Sequence, residues 1–180
     1  ALGADLAHKS DVGAVALNLE SEAAVADAVA AMSDLSERFL VERMARGGVA
    51  EVIVGVKRDP QFGLVLVVGS GGVLVNLLED AARLLLPLDE AELKQAIDGL
   101  KLARLLDGYR GRPRGDRRAL LDMVAAIAET AEKEQARLLE LDVNPIVVMP
   151  EGQGAVAVDA LVRLADETAI ADPRRDVSLS

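Results

Sequence analysis

Val15, Leu17 and Leu19 alternate with other residues, and this period of two predicts a half-buried strand over Ala14–Leu19. After Ser21 the apolar period lengthens. Val25, Val29 and Met32 fall on one helical face, with Ser21 as the N-cap. Arg38–Met44 reads as a strand, and Gly47-Gly48 as a turn. Glu51–Arg58 reads as a strand with Val52, Val54 and Val56 on one side; Asp59-Pro60 turns the chain, and Leu64–Val68 returns to complete a hairpin. Val73–Leu78 follows a glycine run as a further short strand. Asp89 with Glu92 resembles a capping box, opening a helix that turns Leu93, Ile97 and Leu100 inward. Asp116 caps a second long helix, inward at Leu120, Val124, Ile127 and Ala131. Two strands, Leu138–Met149 and Ala155–Leu161, close the fold, and a polar tail runs from about Asp166. No internal repeat occurs. Strands in hairpins mixed with helices predict an α+β or mixed α/β fold.

Composition narrows the chemistry. A chain of 180 residues makes one or two domains, and 51% apolar with 28% charged residues excludes a disordered chain. Without cysteine there is no thiolate nucleophile, no Cys-ligated zinc and no iron–sulfur cluster; a single histidine excludes a His-rich metal site. A formal charge of −10 and 2% aromatic residues argue against nucleic-acid partners, through phosphate repulsion and the lack of stacking surfaces. The longest uncharged stretch, Pro60–Leu78, is broken by Gly69-Ser70-Gly71-Gly72, so no membrane span is expected. The first residue is Ala, which suggests a processed or cut chain; the lack of cysteine and of an export signal points to the cytoplasm.

The last two strands carry the most specific chemistry. Strict alternation puts Leu139, Leu141 and Val143 on one face and Glu140, Asp142 and Asn144 on the other; Val156 and Val158 go inward, and Asp159 outward. If Met149 pairs with Gly154 around the Pro150–Gln153 loop, Asn144 lies opposite Asp159. Directly opposed residues have Cβ atoms about 4.5–5.5 Å apart. An amide and a carboxylate oxygen at that spacing can share a Mg²⁺ ion, which uses few protein oxygens and leaves the rest to phosphate and water. The same residues could equally form the wet face of an amphipathic hairpin. Gly69-Ser70-Gly71-Gly72 could cradle phosphate or simply turn tightly, and it lacks both the dinucleotide fingerprint and the Gly-Lys-Ser/Thr pattern. His8, beside Lys9, is a candidate phosphoryl acceptor or an ordinary exposed histidine. Arg110, Arg112, Arg114, Arg117 and Arg118 could hold an anion or balance charge; Glu42 and Glu51 could meet a ligand amine or hydroxyl.

The ordered run HKSDVGAV, VERM, EVIVGVKRDPQFG, GSGG, DGYRGRP, LELDVNPIVV and AVAVDALV resembles the ATP-grasp domain of NDP-forming acyl-CoA synthetases. These are the ADP-forming acetyl-CoA synthetases and their succinyl-CoA ligase β-like relatives; the domain also ends some GCN5-fused protein acetyltransferases. The resemblance covers about Ala1–Leu164. It implies an α+β, ATP-grasp-like mixed sheet with flanking helices that lacks its N-terminal strand or strands. One ATP-grasp domain would span 1–165, with about 14–75 and 76–165 as its two subdomains and 166–180 as the tail. It implies ATP or ADP with Mg²⁺ as cofactors and Asn144 and Asp159 as metal ligands. Glu42, Arg43 and Met44 would lie on the adenine and ribose side, and Glu51, Gly69, Gly71 and Gly72 would border the nucleotide and its phosphates. His8 matches the histidine thought to carry phosphate. The partners implied are nucleotide and the remaining CoA-binding and ligase domains, in the same chain or another subunit; self-association stays open. The reaction implied is acyl-CoA + ADP + phosphate ⇌ acid + CoA + ATP through a phosphohistidine. The family usually has Glu where this chain has Asn76, and the alternative is a non-catalytic nucleotide- or acyl-CoA-sensing domain of a protein lysine acetyltransferase.

Overall fold

The structure is a computed structural model that describes residues 13–71 and 80–165. The chain divides into two compact units, Ala1–Arg46 and Gly47–Ser180. The subdivision expected near residue 75 falls inside the second unit, between two strands of one sheet.

The first unit holds helix α1, Glu22–Ala31. Ser21 caps it, its Oγ accepting from the Ala24 N–H at 3.1 Å. Val25 and Val29 are half-buried and Met32 is buried, which is the face that their spacing marks. The strands expected over Ala14–Leu19 and Arg38–Met44 do not form: both segments are irregular, and Val15, Leu17, Leu40 and Val41 are exposed. Alternation alone does not make a strand; a hydrogen-bonding neighbour does.

The second unit is built on β1 (Ala50–Asp59), β2 (Gly63–Ser70), β3 (Ala81–Leu85), β4 (Leu138–Val148), β5 (Ala155–Ala157) and β6 (Ala160–Leu164). They form one six-stranded antiparallel sheet in the order β3-β2-β1-β4-β5, with β6 also pairing β4. The hairpin β1–β2 turns as expected at Asp59-Pro60. Asp59 Oδ1 accepts from the Gln61 and Phe62 N–H groups at 2.8 and 2.9 Å, and Gly63 supplies a φ of +80°.

Three helices cover one face: α2 (Glu90–Gly99), α3 (Leu102–Leu106) and α4 (Arg117–Lys133). Val52, Val54 and Val56 of β1 pack with Leu66 and Val68 of β2 and Ile146 and Val148 of β4, beneath Leu93, Leu106, Leu120 and Val124. Full burial of each such side chain is worth roughly 1.5–3 kcal/mol. Asp89 accepts from Ala91 and Glu92 at the start of α2, and Asp116 from Ala119 at the start of α4, both as the sequence indicated. Ile127, expected inward, is half-buried, and Ala128 takes the core position.

Three expectations need correction. A register shift between Leu138 and Glu140 buries Leu138 and leaves Leu139 exposed, because an extra residue in the strand reverses the alternation beyond it. Val156 and Val158 are exposed, because they lie at the sheet edge that β5 and β6 form. The single strand Ala155–Leu161 is two, parted at Val158 and Asp159. Val73–Leu78 lies outside the described residues.

Candidate functional site

The sheet face turned away from the helices carries the candidate site. On β4, Leu141 and Val143 point to the core, so Glu140, Asp142 and Asn144 point to the other side. The hairpin has the register its loop length implied. Val148 pairs Ala155, Val147 pairs Val156 and Ile146 pairs Ala157; beyond the break, Val143 pairs Ala160 and Asp142 pairs Leu161. At the break the Asn144 N–H donates to the Asp159 carbonyl at 3.0 Å, and the Val158 N–H to the Pro145 carbonyl at 2.9 Å. Asn144 of β4 and Asp159, at the break between β5 and β6, are therefore opposed in register, and both are exposed. Asp159 also accepts from the Ala160 N–H at 3.0 Å.

Sequence reasoning left Asp142 out of the metal set, although alternation already put it on the side of Asn144. Burial pushes the Asp142 carboxyl up, and the charges of Glu140 and Asp159 add to this while Lys57 opposes them. A half-buried acid that feels two other acids is held in an environment that a cation would relieve. Gly55 of β1 pairs with Asp142, and a Cβ there would sit 3.4 Å from Asp142 Oδ1, so glycine leaves room beside the carboxylate. One rung further along, Glu140 is bridged by Lys57 of β1 at 2.8 Å and Arg163 of β6 at 3.3 Å. Both cations hold its carboxyl below the usual range, Lys57 most strongly.

No group of three or more His, Cys, Asp or Glu arranged to hold a metal occurs among the described residues. The donors are instead one amide and two carboxylates, all hard oxygens. That set fits Mg²⁺, which keeps several waters or phosphate oxygens, and does not fit zinc. Asn144 and Asp159, with Asp142 beside them, are the residues that would hold it.

The glycines do work that the sequence did not separate from phosphate binding. A Cβ on Gly69 would come within 2.6 Å of the Asp80 carbonyl, and one on Gly71 within 3.0 Å of the Glu51 carbonyl carbon. The Gly71 N–H donates to Glu51 O at 2.8 Å. Both glycines thus let β2 and its extension approach neighbouring backbone. Glu51 is exposed on β1, on the side opposite Val52 and Val54 and so on the face of Asp142 and Asn144. Glu42, Arg43 and Met44 are exposed and lie in the first unit, outside any strand. His8 and Gly72 lie outside the described residues. Arg117 is paired with Asp98 and, at 3.1 Å, with Asp107; Arg118 is paired with Glu90 and Asp122 at 3.0 and 2.7 Å. These two arginines of the expected anion-holding group therefore balance charge between helices.

The ATP-grasp domain family matches residues 1–164. The chain is 37% identical over 162 residues to an ADP-forming acetate–CoA ligase II of Archaeoglobus fulgidus, with 89% of this chain and 23% of that protein covered. It is 31% identical over 166 residues to the β subunit of the ADP-forming acetate–CoA ligase II of Pyrococcus furiosus, with 87% of this chain and 70% of that subunit covered. It thus spans about a quarter of the length of single-chain relatives and most of a separate subunit. Among solved structures it is similar to an acetyl-coenzyme A synthetase of Ca. Korarchaeum cryptofilum, with a TM-score of 0.80 and 34% identity over 91% of this chain and 74% of that one. That structure is a complex with coenzyme A and Mg-AMPPCP, its phosphohistidine segment pointing towards the nucleotide-binding site. The antiparallel sheet with its one-sided helical cover and the match over nearly the whole chain agree: this chain belongs to the ATP-grasp domain family and matches the ATP-grasp domains of ADP-forming acid–CoA ligases.

Proposed function

We propose that this chain is the nucleotide-binding domain of an NDP-forming acyl-CoA synthetase, an acid–CoA ligase whose overall reaction is acyl-CoA + ADP + phosphate ⇌ acid + CoA + ATP. The observation that carries the reading is the rung of Asn144 against Asp159, with the half-buried Asp142 on the next rung. Those three oxygen donors would hold Mg²⁺, and the ion would neutralise charge on the nucleotide phosphates. Glu51 and the backbone around Gly69, Gly71 and Gly72 would border the phosphates; Glu42, Arg43 and Met44 would meet adenine and ribose.

His8 would accept the phosphoryl group. A bond forms from an imidazole nitrogen to phosphorus as the bond from phosphorus to the ADP oxygen breaks, and the reverse step makes ATP. Names of relatives support this reading, among them acetate–CoA ligases and a 4-hydroxybutyrate–CoA ligase, as does the Mg-AMPPCP complex of the archaeal enzyme. The CoA-binding and acyl-phosphate-forming domains would be partners, in the same chain or on another subunit, as the separate β subunits of P. furiosus suggest. No helix among the described residues is long and apolar enough to cross a membrane, and a cytoplasmic location completes the reading.

Calorimetric titration of MgADP into wild type, Asp159→Ala and Asn144→Ala tests it. Each substitution is expected to weaken Mg²⁺-dependent binding by tenfold or more and to leave the metal-free component unchanged. Equal affinity in all three proteins would remove the assignment.

A further inference from the structure

Arg104, Arg110, Arg112 and Arg114 are exposed, and none stands in an ion pair among the described residues. This contrasts with Arg117 and Arg118 next to them, which hold two carboxylates each. The contrast is sharper in a chain of net charge −10. The loop that carries the unpaired arginines is nevertheless well held. The Gly115 N–H donates to Leu106 O at 2.9 Å and the Glu151 N–H to Arg114 O at 2.8 Å, tying the loop to α3 and to the β4–β5 turn. Gly108 has a φ of +89°, and a Cβ there would come within 2.8 Å of Arg112 O. Arg110 itself takes a left-handed conformation, φ 54° and ψ 43°, and its guanidinium lies 5.2 Å from the centre of the exposed Tyr109 ring. A non-glycine residue held there is strained, and such strain persists where the surroundings impose it.

The loop does not belong to the site on the sheet face. It packs at the β4–β5 turn, five residues along β4 from Asn144, which is about 17 Å at the rise of an extended strand. Its tyrosine and arginines are all exposed, whereas small anions are usually bound in concave pockets. Arginine and tyrosine are the residue types that most often dominate protein–protein contacts, and a loop already fixed loses little entropy on binding. Elsewhere this acidic chain would repel a carboxylate-rich surface; here it offers four guanidiniums to one.

We propose that the Tyr109–Arg114 loop, with Arg104, is the docking surface for a carboxylate-rich face of the companion domains of the larger enzyme. This rests on reading the chain as one domain of an acyl-CoA synthetase. The existence of relatives about four times as long, and of others in which the domain is most of a separate subunit, supplies the partner.

The test uses the companion part of the same enzyme as a separate polypeptide, titrated calorimetrically against this chain. R110E/R114E is expected to weaken binding at least tenfold. K94E/K133E, with the same change in charge on the helical side, is expected to change it less than twofold. R110Q/R114Q gives an intermediate loss and guards against misfolding of the first variant, and added NaCl weakens the wild type and K94E/K133E more than the loop variants. Unaltered affinity in both loop variants overturns the proposal, as does equal weakening by K94E/K133E. It is also overturned if inorganic tripolyphosphate binds the wild-type loop and the companion chain does not. MgADP titration of the same proteins separates the two readings. Its failure in the wild type removes the nucleotide assignment, whereas failure of the loop variants to affect docking leaves that assignment standing.

Discussion

Asp80 is the one buried charged side chain among the described residues, and its carboxylate has three donors. Ser70 Oγ donates to Oδ2 at 2.5 Å, the Lys101 N–H to Oδ1 at 2.7 Å and the Leu102 N–H to Oδ2 at 2.9 Å. Burial pushes the carboxyl up, but these hydrogen bonds outweigh it and hold it below its ordinary value. The folded state therefore favours the charged form. The stability it contributes is complete above the unfolded carboxylate value and is lost as pH falls through the lowered folded value. Asp80→Ala is expected to lower unfolding stability at neutral pH by about 1–3 kcal/mol. In urea titrations the gap to wild type should close as the medium is made strongly acid; a gap that stayed constant would contradict this account. Gly71→Ala has a different cause. Its Cβ would press on the Glu51 backbone at 3.0–3.1 Å, so either β1 or the β2 extension must give by a few tenths of an ångström. A measurable loss of melting temperature is expected even without nucleotide. Neither effect could be read from the sequence. Asp80 looks like any loop acid there, and a glycine that permits close backbone approach looks the same as one that cradles phosphate.

At the scale of elements, Asp116 joins two of them. Its Oδ1 accepts from Ala119 at 3.1 Å to cap α4, while Oδ2 accepts from the Gly154 N–H at 2.9 Å in the β4–β5 turn. The bond from Gly154, followed by that from Ala119, lowers its carboxyl. Asp116→Ala is expected to cost about 1–2 kcal/mol, the range for a lost helix cap. Asp116→Asn, which retains a cap oxygen, should recover part of that in chemical denaturation. The cap was legible in the sequence; the bond to Gly154 was not, because 38 residues separate the partners. β3 was missed outright. Ala81-Ala82-Arg83-Leu84-Leu85 has the composition of a helix, and it is extended because β2 offers it an edge through five paired residues. Conversely, Ala14–Leu19 has the pattern of a strand and is not one. In both cases the neighbour decided the outcome.

For the whole molecule, the sheet concentrates backbone protection. Amides of β1, β2 and β4, each with a strand on both sides, are expected to exchange slowest with deuterium; residues 14–20 and 37–46, in no described strand, should exchange fastest. Comparable protection in the two sets would contradict the architecture. The sequence by itself determined the apolar faces of α1, α2 and α4, the β1–β2 hairpin and the register that opposes Asn144 to Asp159. Each depends on residues close along the chain, where a period, a cap or a loop length fixes geometry. Tertiary structure alone decided that Asp142 would be half-buried and sense both Asp159 and Glu140, that Lys57 and Arg163 would converge on Glu140, and that Gly69 and Gly71 would pass close to other strands. Apart from Asp142 and Glu140, which share β4, those relations join different segments, and only the pairing of their strands brings them within reach.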